Sequence, residues 1–240
     1  MERIDWAVVT FLNGFSRHSW TFDTVLAFLE YSNLLKGGVI VAILWAMWFR
    51  NNTEGDAEKF RKIVLATFAG TFVALLVVHI LHEVVPFRVR PLHNPALGFL
   101  DPYGVGEEIL RSDSSFPSDH ATLLTGLVAG IFLASRPVGL FAFGYLLLFI
   151  LFPRVYLGLH YPSDIIGGAF IGVVCVALAN RPKAKNAVAD PLLSWSKKHP
   201  EWFYFLFFIA TYQTATLYKG ARDFAGFAFD LLRAMASRHF

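Results

Sequence analysis

The sequence predicts an all-α fold, a polytopic bundle of membrane helices, and three observations carry that expectation. Of the 240 residues, 55% are hydrophobic and the mean hydropathy is +0.50, more apolar than a soluble domain of this size. The apolar residues gather in runs close to the roughly 20 helical residues that cross hydrocarbon. The basic residues cluster by loop instead of forming a broad face, and the formal charge is only +3, which excludes a nucleic-acid-binding surface. A single cysteine, Cys175, lies inside an apolar run and reads as a small buried hydrophobe, so intramolecular disulfides and redox chemistry with a resolving thiol are excluded.

Taken in order, residues 1-34 read as one or two interfacial helices, with a true span as the alternative, because Asp23 and Glu30 interrupt the apolar stretch. Glu2 and Asp5 also argue against a secretory signal. Five spans follow, at about 36-50, 61-85, 119-135, 138-152 and 165-180. Residues 202-218, rich in Phe and Tyr, form a possible sixth, and Phe224, Phe227, Leu231 and Met235 suggest an amphipathic tail. The expected organisation is therefore 1-34 interfacial, 35-180 transmembrane core, and 181-240 a cytoplasmic basic loop, extra span and tail. Lys and Arg counting puts the loops containing Lys59, Arg61, Lys62, Arg136 and Lys183 on the cytoplasmic side. Lys36, Arg88, Arg90, Arg111 and Arg154 fall on the other side, where some other reason must hold them.

Three outer segments offer that reason: "FRVRP", "SSFPSDHA" and "PRVYLGLHYPSD". In the second, Pro117 suits a first helical turn and Ser114 or Ser115 a cap, so the amides of Ser118, Asp119 and His120 would face an incoming anion. In the third, His160 and Asp164 stand four apart at a helix start marked by Pro162. A carboxylate that fixes the imidazole tautomer makes the other ring nitrogen a better nucleophile, which makes His160 a candidate phosphohistidine. Two histidines and one aspartate without further ligands make a poor metal set, so neither metal nor cofactor is expected. Pro86 and Pro91 predict an extended 87-90 with Arg88 and Arg90 on one side.

The set resembles the type 2 phosphatidic acid phosphatase (PAP2) superfamily, whose motifs are written K-x6-R-P, P-S-G-H and S-R-x5-H-x3-D. "PSDH" is close to the second, and Arg154, His160 and Asp164 keep the spacing of the third. Glu83 stands where the family has lysine, Asp119 replaces the glycine and Pro153 the serine. The segments look most like the bacterial undecaprenyl-diphosphate phosphatase branch. The resemblance implies a lipid phosphatase of the bacterial inner membrane with its site facing outward. It implies His160 as nucleophile, Asp164 orienting it and His120 as general acid, with Arg88, Arg90, Arg154, Ser118 and Asp119 forming the phosphate-binding set. Arg88 is expected to supply the cation normally given by the family's lysine, while Glu83 either pairs with one of the two arginines or faces solvent in the site. The rival substrates are phosphatidate and phosphatidylglycerophosphate, and the rival class is a lipid-phosphate binding or transport protein without turnover.

Overall fold

Every regular element among the residues that the computed structural model describes, 2-50, 54-105, 113-220 and Phe227, is helical. Arg111 and the tail positions Phe224, Leu231 and Met235 lie outside the described residues.

Helices α1 (Glu2–Asn13) and α2 (Trp20–Tyr31) occupy the stretch expected to be interfacial. Their polarity runs the other way. Asp5, Asp23 and Glu30 are buried, while Trp6, Phe11, Trp20, Phe22 and Phe28 are exposed. Each acid has donors inside the bundle; Asp23, for example, accepts from the Tyr156 hydroxyl at 2.5 Å and from the amides of Arg17 and Tyr103. A carboxylate turned towards protein donors and a ring turned outward is the pattern of an apolar environment.

A π turn, Leu34–Gly38, leads into α3 (Val39–Trp48), and this limb is bent by 69° from α2. The expected span at 36-50 is thus the second limb of a broken pair. Helix α4 (Glu54–Val84) ends where Pro86 forbids continuation. Helix α5 (Asp119–Ala134) is followed by α6 (Arg136–Leu146), which runs through a second π turn, Leu147–Leu151, into α7 (Phe152–Tyr156). Arg154 therefore sits in a helical turn and not in the connection expected at 153-164. Helix α8 (Pro162–Ala179) begins at the expected proline.

Residues 56-84, 136-156 and 162-179 are long and apolar enough to cross a membrane; the bent pair adds a fourth candidate, and α5 is apolar but shorter. The protein is a multi-pass membrane protein. Two further helices close it: α9 (Pro182–Lys198), where a basic loop was expected, and α10 (Pro200–Ala215). Pro182 starts α9, Lys197 and Lys198 complement its C-terminal end, and buried Ala189 and Leu193 give it an inner face. Helix α10 seats Phe203 and Phe207 against Trp45 and Trp48 of α3. Cys175 is only half-buried.

Helices α4, α5 and α8 form the centre, and α5 and α8 meet through glycine. A Cβ on Gly168 would lie 2.4 Å from the Ser118 carbonyl oxygen, and one on Gly172 2.1 Å from that of Thr122. Small residues spaced four apart let two backbones approach this closely. The consequence is positional: the N-terminal ends of α5 and α8, which carry the second and third motifs, are brought side by side, with the Ser118 amide donating to the Asp164 carbonyl at 3.2 Å.

Candidate active site

The first outer segment is extended, as expected, but its two arginines take different partners. Arg90 is buried and anchored by three carbonyls: Nη1 donates to Leu159 at 2.7 Å, Nη2 to Ser114 at 3.2 Å and Nε to Asp113 at 3.3 Å. Its Nη1 also lies 3.1 Å from His160 Nε2. Arg88 instead donates to Asp5 at 2.7 Å, to Ser163 at 2.8 Å and, in a short contact, to Asp164, and it lies over the Tyr161 ring. Its guanidinium is committed to carboxylates, so the structure does not bring Arg88 to the cavity and gives no support to its standing in for a lysine. Glu83 is exposed and lines the cavity, and it forms no ion pair with either arginine among the described residues. An exposed carboxylate keeps its hydration, so of its two expected positions Glu83 takes the one facing solvent in the site and not the paired one.

His160 is 1% exposed. Its Nδ1 lies 2.9 Å from the Ser115 carbonyl oxygen, which can only accept, so Nδ1 carries the proton and Nε2 is the free lone pair. Two guanidinium groups face that lone pair, Arg90 at 3.1 Å and Arg154 at 3.3 Å. Burial, reinforced by Arg154 and Arg90 against the opposing pull of Asp164, holds the His160 pKa down at about 4. Burial likewise lowers Arg90 to about 10, with Arg154 adding to it.

Asp164 does not grip His160 in the way its spacing suggests. Its Oδ2 is 3.8 Å from Nδ1, and it accepts instead from the Ser115 hydroxyl at 2.5 Å and the Tyr161 amide at 2.8 Å. The carboxylate thus fixes the segment whose carbonyl holds the imidazole. At the start of α5, the cap is Ser118 and not Ser114 or Ser115, and Pro117 precedes the helix. The Ser118 hydroxyl accepts from the Ala121 amide and its own amide is taken by Asp164, so Ser118 is fully buried as a cap. The Asp119 carboxylate accepts from the His120 amide at 2.8 Å and lies 3.2 Å from His120 Nδ1. Asp119 therefore orients His120 in this structure, and its negative charge would repel an anion.

Arg90, Arg154, Asp119, His120, Ser114 and Glu83 line a cavity of about 350 Å³, with His160 one layer below. Arg154 donates to Glu30 at 2.6 Å, while its buried Nε has no hydrogen-bond partner among the described residues. A buried cation with an unused donor suits an incoming oxyanion. Five residues of this neighbourhood were not assigned from the sequence: Asp5, Glu30, Lys36, Ser115 and Ser163. The buried acids were visible as charges in apolar stretches, a signal that reads equally as an interfacial helix until the fold supplies their partners.

The geometry joins all three motifs at one cavity, and a sequence profile described as the PAP2 superfamily matches residues 63-186. The chain belongs to the PAP2 superfamily. It is 31% identical over 167 residues to undecaprenyl-diphosphatase BcrC of Bacillus subtilis (strain 168), covering 68% of this chain and 76% of that protein. It is 26% identical over 136 residues to the putative undecaprenyl-diphosphatase YbjG of Escherichia coli (strain K12), covering 57% of this chain and 61% of that one. No solved structure matches it. As a PAP2 protein it is a phosphohydrolase in a multi-pass membrane bundle. Asp5, Glu30 and Lys36 lie outside the matched residues, on elements that precede them in the chain.

Proposed function

We propose that this PAP2 protein removes the terminal phosphate of a polyprenyl diphosphate, undecaprenyl diphosphate foremost, through a phosphohistidine at His160. The observation that carries the reading is the deprotonated Nε2 of a buried imidazole faced by Arg90 and Arg154 at 3.1 and 3.3 Å. His160 Nε2 attacks the terminal phosphorus, a P–N bond forms, and the bond to the bridging oxygen breaks with its electron pair leaving on that oxygen. The two guanidinium groups meet the charge on the equatorial oxygens as it develops. His120, expected as the acid, has Nδ1 at Asp119 and an unprotonated Nε2 opposite the Lys36 ammonium on the leaving-group side, so it takes the proton of the water that then cleaves the P–N bond, releasing inorganic phosphate and restoring the His160 imidazole.

A lipid substrate is supported by what adjoins the cavity. His79, His82 and Asp119 also border an apolar cavity of about 300 Å³ walled by Phe72, Leu75, Leu76 and Leu217. A headgroup at the arginines would have its tail led along α4 into apolar surroundings. The two curated relatives are named for undecaprenyl diphosphate, which favours that tail over diacylglycerol. The setting that follows is a bacterial inner membrane with the cavity facing outward. The test is phosphate release by the purified protein from undecaprenyl diphosphate, phosphatidate and phosphatidylglycerophosphate, with acid quenching to trap phosphoprotein. Preferred release from the diphosphate and an acid-labile phosphoprotein absent in His160→Ala are expected. Preference for a diacyl lipid, or labelling that survives in His160→Ala, would overturn the substrate or the nucleophile respectively.

A further inference from the structure

Lys36 is a buried cation that the PAP2 motifs leave unexplained. It is 5% exposed, and its Nζ lies 3.3 Å from Glu30 Oε1 and 3.5 Å from His120 Nε2. A lysine is not kept in an apolar interior without a strong local reason, and Glu30 supplies only part of one. The same Glu30 oxygen already accepts from Arg154 at 2.6 Å, so one carboxylate is shared by two cations and a positive charge remains. The chain also builds a special backbone to deliver it. Lys36 sits in the π turn at the break between α2 and α3, a wider turn of the sort often found at functional positions. That turn is pinned from two sides: the Tyr145 hydroxyl donates to the Leu35 carbonyl at 2.6 Å, and Gly37 packs so tightly on α10 that a Cβ would lie 2.1 Å from the Ala215 carbonyl oxygen.

The two histidines thus face separate cations. Arg90 and Arg154 face His160 Nε2, where the transferred phosphoryl is bound in the reading above, and Lys36 faces His120 Nε2, on the side of the leaving group. At residue 83, where the family motif has a cation, this chain has a glutamate. From this division we infer that Lys36 selects a diphosphate: its ammonium meets the phosphate that departs with the lipid.

The chemistry separates the two substrate classes. When an anhydride is cleaved, the electron pair of the breaking P–O bond goes to an oxygen of a lipid monophosphate, which leaves as a stable anion and gains most from a fixed positive charge. When a monoester is cleaved, the pair goes to an alkoxide, which has to be protonated and carries no second phosphate for Lys36 to hold. A cation at His120 Nε2 therefore favours the anhydride, and it does so from an element outside residues 63-186.

The inference rests on the phosphatase reading and is tested on the full chain in detergent with two probes of equal tail, farnesyl diphosphate and farnesyl monophosphate, by phosphate release. In Lys36→Met, kcat/KM for the diphosphate should fall by about a hundredfold and that for the monophosphate by less than about fivefold. Lys36→Arg, which keeps the charge, should retain at least about a tenth of wild-type rate on the diphosphate. Lys36→Gln, which keeps polarity without charge, should behave like Lys36→Met, and it decides the matter if the methionine variant does not fold. Equal losses on both probes, or no loss on the diphosphate, would show Lys36 to be a partner of Glu30 alone and overturn the inference. A wild-type protein that releases phosphate from neither probe would overturn the phosphatase reading along with it.

Discussion

Asp164 stands 3.8 Å from the imidazole nitrogen it was expected to hold, and the Ser115 carbonyl lies between their roles, 2.9 Å from His160 Nδ1. The carboxylate works through Ser115, whose hydroxyl it accepts at 2.5 Å. Asp164→Asn should therefore lose turnover by about a hundredfold while still forming some phosphoenzyme, because the carbonyl continues to fix the His160 tautomer. Ser115→Ala should lose less, about tenfold, since the carbonyl remains and only its tether is cut. Single-turnover phosphoenzyme formation separates these outcomes; complete loss of phosphoenzyme in Asp164→Asn would show direct control of His160 by the carboxylate.

Arg88 and Arg90 should fail in different ways. On the proposed reaction Arg90→Ala should lose a charge-assisted contact to the transferring phosphoryl, about 2–4 kcal/mol of transition-state stabilisation, or roughly thirty- to a thousandfold in kcat/KM. Arg88→Ala leaves the buried carboxylates Asp5 and Asp164 without their shared cation, which should lower stability by roughly 2–4 kcal/mol. Thermal unfolding in detergent should therefore shift mainly for Arg88→Ala, with activity surviving at low temperature. A dead but fully stable Arg88→Ala protein would mean that Arg88 reaches the phosphate after all.

The α5–α8 crossing gives a third outcome. Gly172→Val would drive a side chain into the Thr122 carbonyl, where a Cβ already lies 2.1 Å away, and overpacking of this kind costs about 1–3 kcal/mol. Because this crossing keeps Ser118 beside Asp164, kcat/KM should fall with Tm. Gly144, beside which a Cβ meets nothing within 4 Å, is the control: Gly144→Ala should leave activity unchanged.

The pH dependence follows from His160. Its pKa is lowered to about 4, so the imidazole is neutral, and nucleophilic, above that value and loses its lone pair to a proton below it. The acid limb of kcat/KM, corrected for substrate ionisation, should lie near pH 4 and not near the ordinary histidine value of about 6.5. A limb at the ordinary value, abolished together with phosphoenzyme formation, would indicate a solvated His160.

Much of the candidate site was legible because it is local. Arg154, His160 and Asp164 are within eleven residues of one another, and Pro162 marks the start of the helix that carries the last of them. Helix starts are written in their own few residues, so α8 was expected where it lies, and the end of α4 is set by Pro86 alone. The cap of α5 was misread by a few residues because three serines compete for it and only the packing of the segment against α8 selects Ser118.

By itself the sequence determined the helical membrane class, the three motifs and the PAP2 family they point to, since hydropathy, proline positions and short spacings are properties of neighbouring residues. Only the tertiary structure decided which charge meets which. Arg88 was assigned to the cavity and is held by Asp5, 83 residues away; Arg154 is held by Glu30, 124 residues away; and Lys36 reaches His120 from 84 residues away. The physical reason is that a buried charge takes whatever partner the helix crossings bring within about 3 Å, and no local pattern records which helices will cross.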